Sequence, residues 1–368
     1  KMAACDLSVG DSAFMYGVLV GEATKPIARG RRITTDNLVH RSSDYGQSRS
    51  ERSWTPPSVG QWEGHSFQGF HRKDGSVGTA NHWLVVPMVF CENGNIETLK
   101  NSMLDALGFQ RRNQYQLFAR ELAEVYSDGL DPDSVSLQAE QDHSPSPIFP
   151  NVDGIKFISH GLGCGETRGI SEELCGLLAG YACNPNVGGI TVLSLGCQHA
   201  QVSILEKEIS KRISGFDKPL FVFEQHKFDS EREMLERAIR RTFEGLAEIN
   251  LLQRSPAPLS KLCLGMECGA SDGFSGISAN PTMGRVADLL VALGGRIILS
   301  EFPELCGVEQ EIVNRCDQAE TGDRFIEIMR NYEARVKEAG SGFHMNPSPG
   351  NVRDGLITDA IKSAGAAR

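Results

Sequence analysis

The sequence predicts an α/β fold with a largely parallel sheet and helices on both of its faces, plus a small N-terminal β domain. Short apolar runs of strand length alternate with longer stretches of helical periodicity, which is the pattern of a parallel sheet with crossover helices. The first 40 residues instead show only short β segments separated by turns. With 368 residues, 40% of them hydrophobic, the chain can bury a sizeable core.

The N-terminal region is predicted to be a β domain spanning residues 1–40. Its β segments are residues 13–21 and 27–33. A polar stretch at residues 41–58, rich in Ser and Arg and ending in two prolines, is typical of a linker. Residues 59–368 then form the α/β body.

The body contains six apolar runs that are short and β-branched enough for buried strands. They are residues 83–90, 155–158, 190–195, 220–223, 262–266 and 297–299. Helical patterns between them include residues 170–181, 231–246 and 282–292. In such sheets, ligands bind beyond the carboxyl ends of the strands.

Polar and small residues follow four of these predicted strands. The segments are residues 159–167, 196–199, 268–275 and 300–304, and they carry Gly, Cys, His, Ser, Asp and Glu. The first contains His160 and Cys164, and the last contains Glu301. Because several strand ends present such groups, we expect a catalytic cleft there.

The segment at residues 266–281 is the most informative of these. Its small residues let backbone N–H groups approach an anion, and the following helix N-terminus adds a positive dipole end. Its polar side chains suit sugar hydroxyls, and two other segments offer similar groups. The candidate substrate-binding residues are Ser271, Asp272, Ser275 and Asn280; Arg72, Thr79 and Asn81, beside a possible Asp74-Gly75 hairpin; and Asn346, Ser348 and Asn351 in a proline-stiffened loop.

Ten cysteines are spread along the chain without a CxxC pair. This spacing favours reduced thiols over a disulfide framework and gives no support to a zinc site. Cys164, Cys197 and Cys268 each follow a different predicted strand. They could ligate an iron–sulfur cluster, or they could simply line the cleft.

Charge and hydropathy exclude several classes of partner. The formal net charge of -10 argues against binding nucleic acid. No apolar run approaches the roughly 18 to 20 residues of a membrane helix, and the first residues lack a signal-peptide pattern. We therefore expect a cytoplasmic protein that acts on a small molecule, with a homo-oligomer as its candidate assembly. No GxGxxG or P-loop motif supports a nucleotide cofactor.

Several long segments together resemble the altronate dehydratase and galactarate dehydratase family. They cover nearly the whole chain and occur at residues 63–70, 74–79, 150–154, 160–165, 184–189, 195–197, 267–281, 299–301 and 346–351. Residues 80–83 and 304–310 look closer to altronate dehydratases than to galactarate dehydratases.

The resemblance implies a small N-terminal domain of the SAF type, a linker and a larger α/β body. It also implies a hydro-lyase that converts D-altronate to 2-dehydro-3-deoxy-D-gluconate in hexuronate breakdown. A divalent metal, Fe(II) or Mn(II), is implied rather than a cluster. Loss of the C2 proton would give an enediolate that a metal or Arg stabilises, and an acid would protonate the departing C3 hydroxyl.

The sequence departs from the family pattern in three places. Where family members have His-x-His-Asn near Ile33, this chain has Thr34 to Asn37, so Asp36 and His40 are the nearest candidate metal ligands. The family's Gly-His before the position of Lys1 and its glycine-rich part beyond Leu356 are also not in this sequence. We therefore expect an N-terminally incomplete SAF-like domain and a body without the family's C-terminal part.

Three residues are the catalytic candidates: His160 for proton transfer, Glu301 as a second acid–base group, and Cys164. Two alternatives to an altronate dehydratase stay open from the sequence. One is a galactarate dehydratase, whose diacid substrate needs a second cation. The other is a sugar-acid binding protein without turnover.

Overall fold

A computed structural model describes residues 1–46, 54–110, 114–137, 146–267, 269, 271–345 and 347–367. Part of the predicted linker, residues 47–53, lies outside this set. The chain divides into two compact units, a first unit of residues 1–65 and 258–368 and a second unit of residues 66–257. In the described residues, no helix has both the length and the apolar character needed to cross a membrane.

The first unit begins with a three-stranded antiparallel sheet in the order β1-β2-β3. Its strands are β1 (Ser12–Met15), β2 (Val18–Ala23) and β3 (Leu38–His40). Tyr16 and Gly17 both have positive φ, 53° and 75°, which is the two-residue hairpin turn that matches strand twist. The predicted β segment at residues 13–21 is therefore a hairpin.

The predicted β segment at residues 27–33 is not a strand. Ile27 and Arg32 form only isolated bridges, to Leu7 and Met2. Gly30 takes φ +79°, which turns the chain in the middle of the segment. The third strand forms later, at Leu38–His40.

The second unit opens with a sheet in the order β10-β4-β5. Its strands are β4 (Ser66–His71), β5 (Val77–Gly78) and β10 (Ser255–Pro258). The predicted hairpin between β4 and β5 is confirmed. The Asp74 carboxylate accepts the Ser76 amide at 2.9 Å, and Gly75 has φ +82°.

The centre of the second unit is a four-stranded parallel sheet in the order β7-β6-β8-β9. Its strands are β6 (His82–Pro87), β7 (Gly154–Phe157), β8 (Val187–Ser194) and β9 (Leu220–Glu224). The helices of this unit are α1 (Asn93–Met103), α2 (Gln114–Ser127), α3 (Arg168–Cys183), α4 (Val202–Arg212) and α5 (Glu231–Ile249).

Alternating side chains of the parallel sheet pack in two separate hydrophobic cores. Trp83 and Val85 of β6 pack in one core with buried residues of α1 and α5. Leu84 and Val86 pack in the other with buried residues of α3 and α4. Because successive side chains of a strand point to opposite faces, this alternation places helices on both faces. The predicted fold class is confirmed.

The chain returns to the first unit with a separate two-stranded parallel sheet. Its strands are β11 (Cys263–Met266) and β12 (Arg296–Leu299), joined through α6 (Ala279–Ala292). The remaining helices are α7 (Glu309–Arg315), α8 (Ala319–Glu338), α9 (Pro349–Arg353) and α10 (Ala360–Ala367). All six predicted strands form, but four pair in one unit and two in the other.

Helix α10 is the core element of the first unit. Ala360 and Ile361 pack in one cluster with Val20 of β2 and Leu38 of β3. Small residues let this helix approach its neighbours closely, since a Cβ on Gly365 would lie 2.8 Å from the Gly276 carbonyl oxygen. Its single lysine is consequently buried.

Candidate active site

Lys362 is the most unusual side chain of the first unit, with 2% of the residue exposed. Its Nζ donates to Ser271 Oγ at 2.8 Å and to Glu304 Oε2 at 3.2 Å. An ammonium group removed from water needs such partners, because burying an unpaired charge costs many kcal/mol. Helix α10 thus positions the Lys362 ammonium group beside the turn that follows β11.

A cavity lies around this lysine, at the carboxyl ends of β11 and β12 and the start of α6. Its polar lining residues are Glu267, Asn280, Ser300, Glu301, Glu304, Lys362 and Ser363. The structure therefore brings together the predicted residues Asn280 and Glu301, and Ser271 joins them through its hydrogen bond to Lys362. A cavity with one cation, several carboxyl groups and an amide can bind a hydroxylated carboxylate.

Glu301 has a backbone conformation that is rare for a residue with a side chain. Its φ and ψ are both 54°, in the left-handed region. Its carbonyl oxygen accepts the Glu304 amide at 2.7 Å, which begins the short 3₁₀ turn Phe302–Leu305. Such a conformation costs about 1–3 kcal/mol and is common at functional sites.

Glu304 also affects a neighbouring acid. Burial, and then the negative charge of Glu304, raise the pKa of Asp359 to about 6, while Lys362 opposes the shift. Asp359 comes directly before α10. The first unit therefore contains a carboxyl group that changes charge near neutral pH.

Asp272 and Ser275 shape the turn after β11 by bonding to it. The Asp272 carboxylate accepts the amides of Ser275 at 2.8 Å and Phe274 at 2.6 Å, and these bonds hold the pKa of Asp272 below its ordinary value. Ser275 Oγ donates to the Asp272 carbonyl at 3.1 Å. Their proposed contact with substrate stays a prediction. Cys268 lies outside the described residues.

The loop near α9 has a local structural role. Ser348 Oγ accepts the Asn351 amide at 3.4 Å and so caps the N-terminus of α9. Asn346 lies outside the described residues. Contact of Ser348 or Asn351 with a ligand stays a prediction.

Asp36 and His40 do not fit a metal ion. Asp36 is exposed, and His40 Nδ1 lies 2.6 Å from Thr358 Oγ1. Burial, and then the charge of Arg41, lower the pKa of His40. Among the described residues, no three His, Cys, Asp or Glu side chains are arranged to hold one ion. A divalent metal stays a prediction.

In the second unit, His160 follows β7 at the carboxyl edge of the parallel sheet. Its Nε2 lies 3.0 Å from the Pro87 carbonyl oxygen, and its Nδ1 accepts the Leu162 amide at 3.2 Å. This network assigns the proton to Nε2 and occupies both ring nitrogens. Asn93 donates to the His160 carbonyl at 2.9 Å. His160 therefore organises its loop, and proton transfer by this ring would require these bonds to break.

Cys91, Cys164 and Cys197 lie at the same edge and are all exposed. Partial desolvation, then Cys197 and Cys91, raise the pKa of Cys164. Cys91 was not among the predicted site residues, although it directly follows the predicted strand at residues 83–90.

Arg72, Thr79 and Asn81 lie at the opposite, amino edge of that sheet, because β6 begins at His82. Arg72 Nη2 donates to Asn81 Oδ1 at 3.1 Å, and the Thr79 amide donates to Asn186 at 2.7 Å. Asn81 is fully buried. The structure does not bring these three residues together with His160, and their hydrogen bonds tie the β5–β6 connection to neighbouring turns.

Comparisons with known proteins agree with these two units. The model for the second domain of D-galactarate dehydratase/altronate hydrolase matches residues 69–250. The model for the C-terminal domain of D-galactarate/altronate dehydratase matches residues 259–368. The chain belongs to the D-galactarate/altronate dehydratase family.

Curated relatives of this family match nearly the whole chain. Altronate dehydratases of Bacillus subtilis (strain 168) and Escherichia coli (strain K12) are each 27% identical over 99% of the chain. The galactarate dehydratase (L-threo-forming) of Escherichia coli (strain K12) is 27% identical over all of it. In each case the match spans 64% of the relative's own length. The chain is thus equally similar to relatives with different substrates.

Proposed function

We propose that this chain acts as a hydro-lyase on sugar acids, and that D-altronate is its substrate, giving 2-dehydro-3-deoxy-D-gluconate. The observation that carries the proposal is the buried Lys362 ammonium in a cavity with Glu301 and Asn280. Family membership supports the reaction class. The relatives include altronate dehydratases and a galactarate dehydratase, so both sugar acids are candidate substrates. We choose D-altronate because residues 80–83 and 304–310 look closer to altronate dehydratases.

The reaction needs a base and a group that stabilises negative charge. When a base removes the C2 proton of a 2,3-dihydroxy acid, the electron pair of the C2–H bond moves into the carboxylate to give an enediolate. The enediolate then forms a C2–C3 double bond as the C3 hydroxyl leaves with a proton, and the resulting enol takes a solvent proton at C3 to give the 2-keto acid. Each step moves charge or a proton that the cavity must handle.

Residues of the cavity suit these tasks. The Lys362 ammonium is placed to attract the carboxylate and to stabilise the enediolate, since fixed charges in a dry site act strongly on developing charge. Glu301 is the candidate base, because this residue lines the same cavity and carries a carboxyl group. Ser271, Asn280 and Glu304 offer hydrogen bonds to hydroxyl groups.

The test is an anaerobic assay of the purified chain with D-altronate and galactarate in parallel, each with and without added Fe(II) or Mn(II). We expect a 2-keto acid from altronate, detected as its semicarbazone. A faster reaction with galactarate would move the substrate assignment to the diacid. Calorimetric binding of altronate without any product would favour a binding protein, and no binding and no product would remove the proposal.

A further inference from the structure

The outer face of α3 lines an open groove in the second unit. The inner face of this helix, with Leu178, is buried against the parallel sheet. The outer face instead leaves 58% of Leu177 and 44% of Tyr181 exposed. Glu208 and Arg212 of α4, paired with each other at 2.8 Å, form the other wall of the groove, whose volume is about 850 Å³. We propose that a second copy of this chain covers the groove, with its own α3 packed antiparallel against the first.

Glycines leave room for a second helix on this face. Gly169, Gly176 and Gly180 all line the groove. A Cβ on Gly180 would meet no described atom within 4 Å, so packing within one copy does not require glycine there. Glycine destabilises the interior of a helix relative to alanine, and it is favoured where another backbone must come close. Three glycines on one exposed face therefore suit a close helix contact.

The outer face is self-complementary about an axis between positions 176 and 177. In an antiparallel pair of identical helices, positions at equal distances from such a two-fold axis face each other. Three pairs of unlike residues then meet: Leu177 with Gly176, Tyr181 with Glu172, and Gly180 with Glu173. Leu177 of each copy packs over the glycine of the other. The Tyr181 hydroxyl can donate to the Glu172 carboxylate.

Charge along the groove favours the antiparallel arrangement. Glu172 and Glu173 are exposed near the N-terminus of α3. At the other end, Lys218 Nζ donates to the carbonyl oxygens of Ala182 at 3.0 Å and Asn184 at 2.7 Å, so an ammonium group lies at the C-terminus of the helix. Antiparallel packing brings the acidic end of each copy beside the ammonium group of the other and opposes the two helix dipoles. A parallel pair would place the acidic ends together.

Sedimentation velocity of the purified chain between about 1 and 100 µM measures the association. We expect a dimer whose dissociation constant rises with salt, because exposed ion pairs are screened. Leu177→Arg places two like charges at the axis and should raise that constant at least about 100-fold. Leu251→Arg is the matched control, since Leu251 is 80% exposed in the same unit but follows α5. It should dimerise like the parent, and both variants should keep the parent's circular dichroism spectrum.

Cysteine substitutions test the orientation of the two helices. Leu177→Cys places the two new thiols on either side of the axis, about 1.5 Å apart along the helix direction. Tyr181→Cys places them about 13 Å apart along that direction, which is beyond the roughly 7 Å between Cα atoms that a disulfide can span. Mild oxidation and peptide mass analysis should therefore show a disulfide between two copies of position 177 but not between two copies of position 181.

Four results would overturn the proposal. They are a parent chain that is monomeric throughout the concentration range, a Leu177→Arg variant that dimerises like the parent, a Leu251→Arg variant that is weakened as much, and a position 181 that links as readily as position 177. The proposal does not depend on the dehydratase activity. Mass and cross-links are measured without substrate, so failure here leaves the dehydratase proposal untouched.

Discussion

At the scale of single residues, the structure adds Lys362 to the predicted residues of the candidate site. Asn280, Ser271 and Glu301 were predictable, because small and polar residues after apolar runs indicate strand-end loops. Lys362 was not, because its position depends on helix α10 packing in the first unit, and a lone lysine in a small-residue helix has no distinctive spacing. Lys362 is also 91 residues from Ser271 along the chain, so the sequence gives no sign that the two side chains are partners.

Removing the Lys362 charge tests its role in the cavity. Lys362→Met keeps the aliphatic chain but removes the ammonium, so we expect kcat with altronate to fall about 10²–10³-fold. The altronate Kd from calorimetry should rise as well. Lys337→Met is the control, because Lys337 is an exposed partner of Glu333 in α8 of the same unit. Equal activity of the two variants would contradict the role of Lys362.

Asp359 predicts a pH dependence of stability. Its pKa is raised from 3.8 to about 6, so the folded chain binds this proton more tightly than the unfolded chain does. The stabilising effect of this proton is present below pH 3.8 and is lost as pH rises through about 6. Asp359→Asn cannot ionise and should therefore be more stable relative to the parent at about pH 7.5 than at about pH 4.5.

Urea unfolding of both proteins at the two pH values measures this difference. The relevant quantity is the free energy of unfolding of the variant minus that of the parent at each pH. A difference that is the same at both pH values would show that ionisation of Asp359 does not affect folding.

At the scale of elements, the hydrophobic periodicity of the α/β body predicts which helices and strands form, but it does not predict which strands pair. The six strands predicted in the α/β body and the helices α3, α5 and α6 all form where apolar patterns predict them, whereas the predicted β segment at residues 27–33 does not. The same patterns do not say that β11 and β12 pair with each other and not with the four-stranded sheet, because pairing depends on the connections and the packing of distant elements.

Two glycines in long helices give opposite predictions. A Cβ on Gly245 of α5 would lie 2.1 Å from the fully buried Trp83 ring, whereas a Cβ on Gly180 of α3 would meet nothing within 4 Å. Gly245→Ala should therefore lower the free energy of unfolding by about 1–3 kcal/mol through overpacking. Gly180→Ala should raise it by about 0.5–1 kcal/mol, because alanine favours helix.

Thermal or urea unfolding of the two variants checks this pair. Trp83 cannot shift easily, since its Nε1 donates to Thr191 at 3.0 Å and Thr191 in turn lies 2.6 Å from Thr242. Equal stability of Gly245→Ala and Gly180→Ala would contradict the conclusion that α5 packs too tightly on β6 to admit a methyl group at position 245.

At the scale of the whole molecule, the residues predicted to form one cleft fall in two units. His160 and Cys164 belong to the second unit, and Ser271, Asn280 and Glu301 belong to the first. Their shared cleft stays a prediction. What each unit offers by itself differs in chemistry: a buried ammonium among carboxyl groups in one, and three thiols at a sheet edge in the other.

The most direct test of the proposed dehydration is to incubate D-altronate with the chain in D₂O and record proton and deuterium magnetic resonance spectra. The proposed reaction loses the C2 proton and forms an enol that takes its new C3 proton from solvent. We therefore expect 2-dehydro-3-deoxy-D-gluconate with one deuterium at C3. Unchanged altronate, or a product without deuterium at C3, would contradict the account.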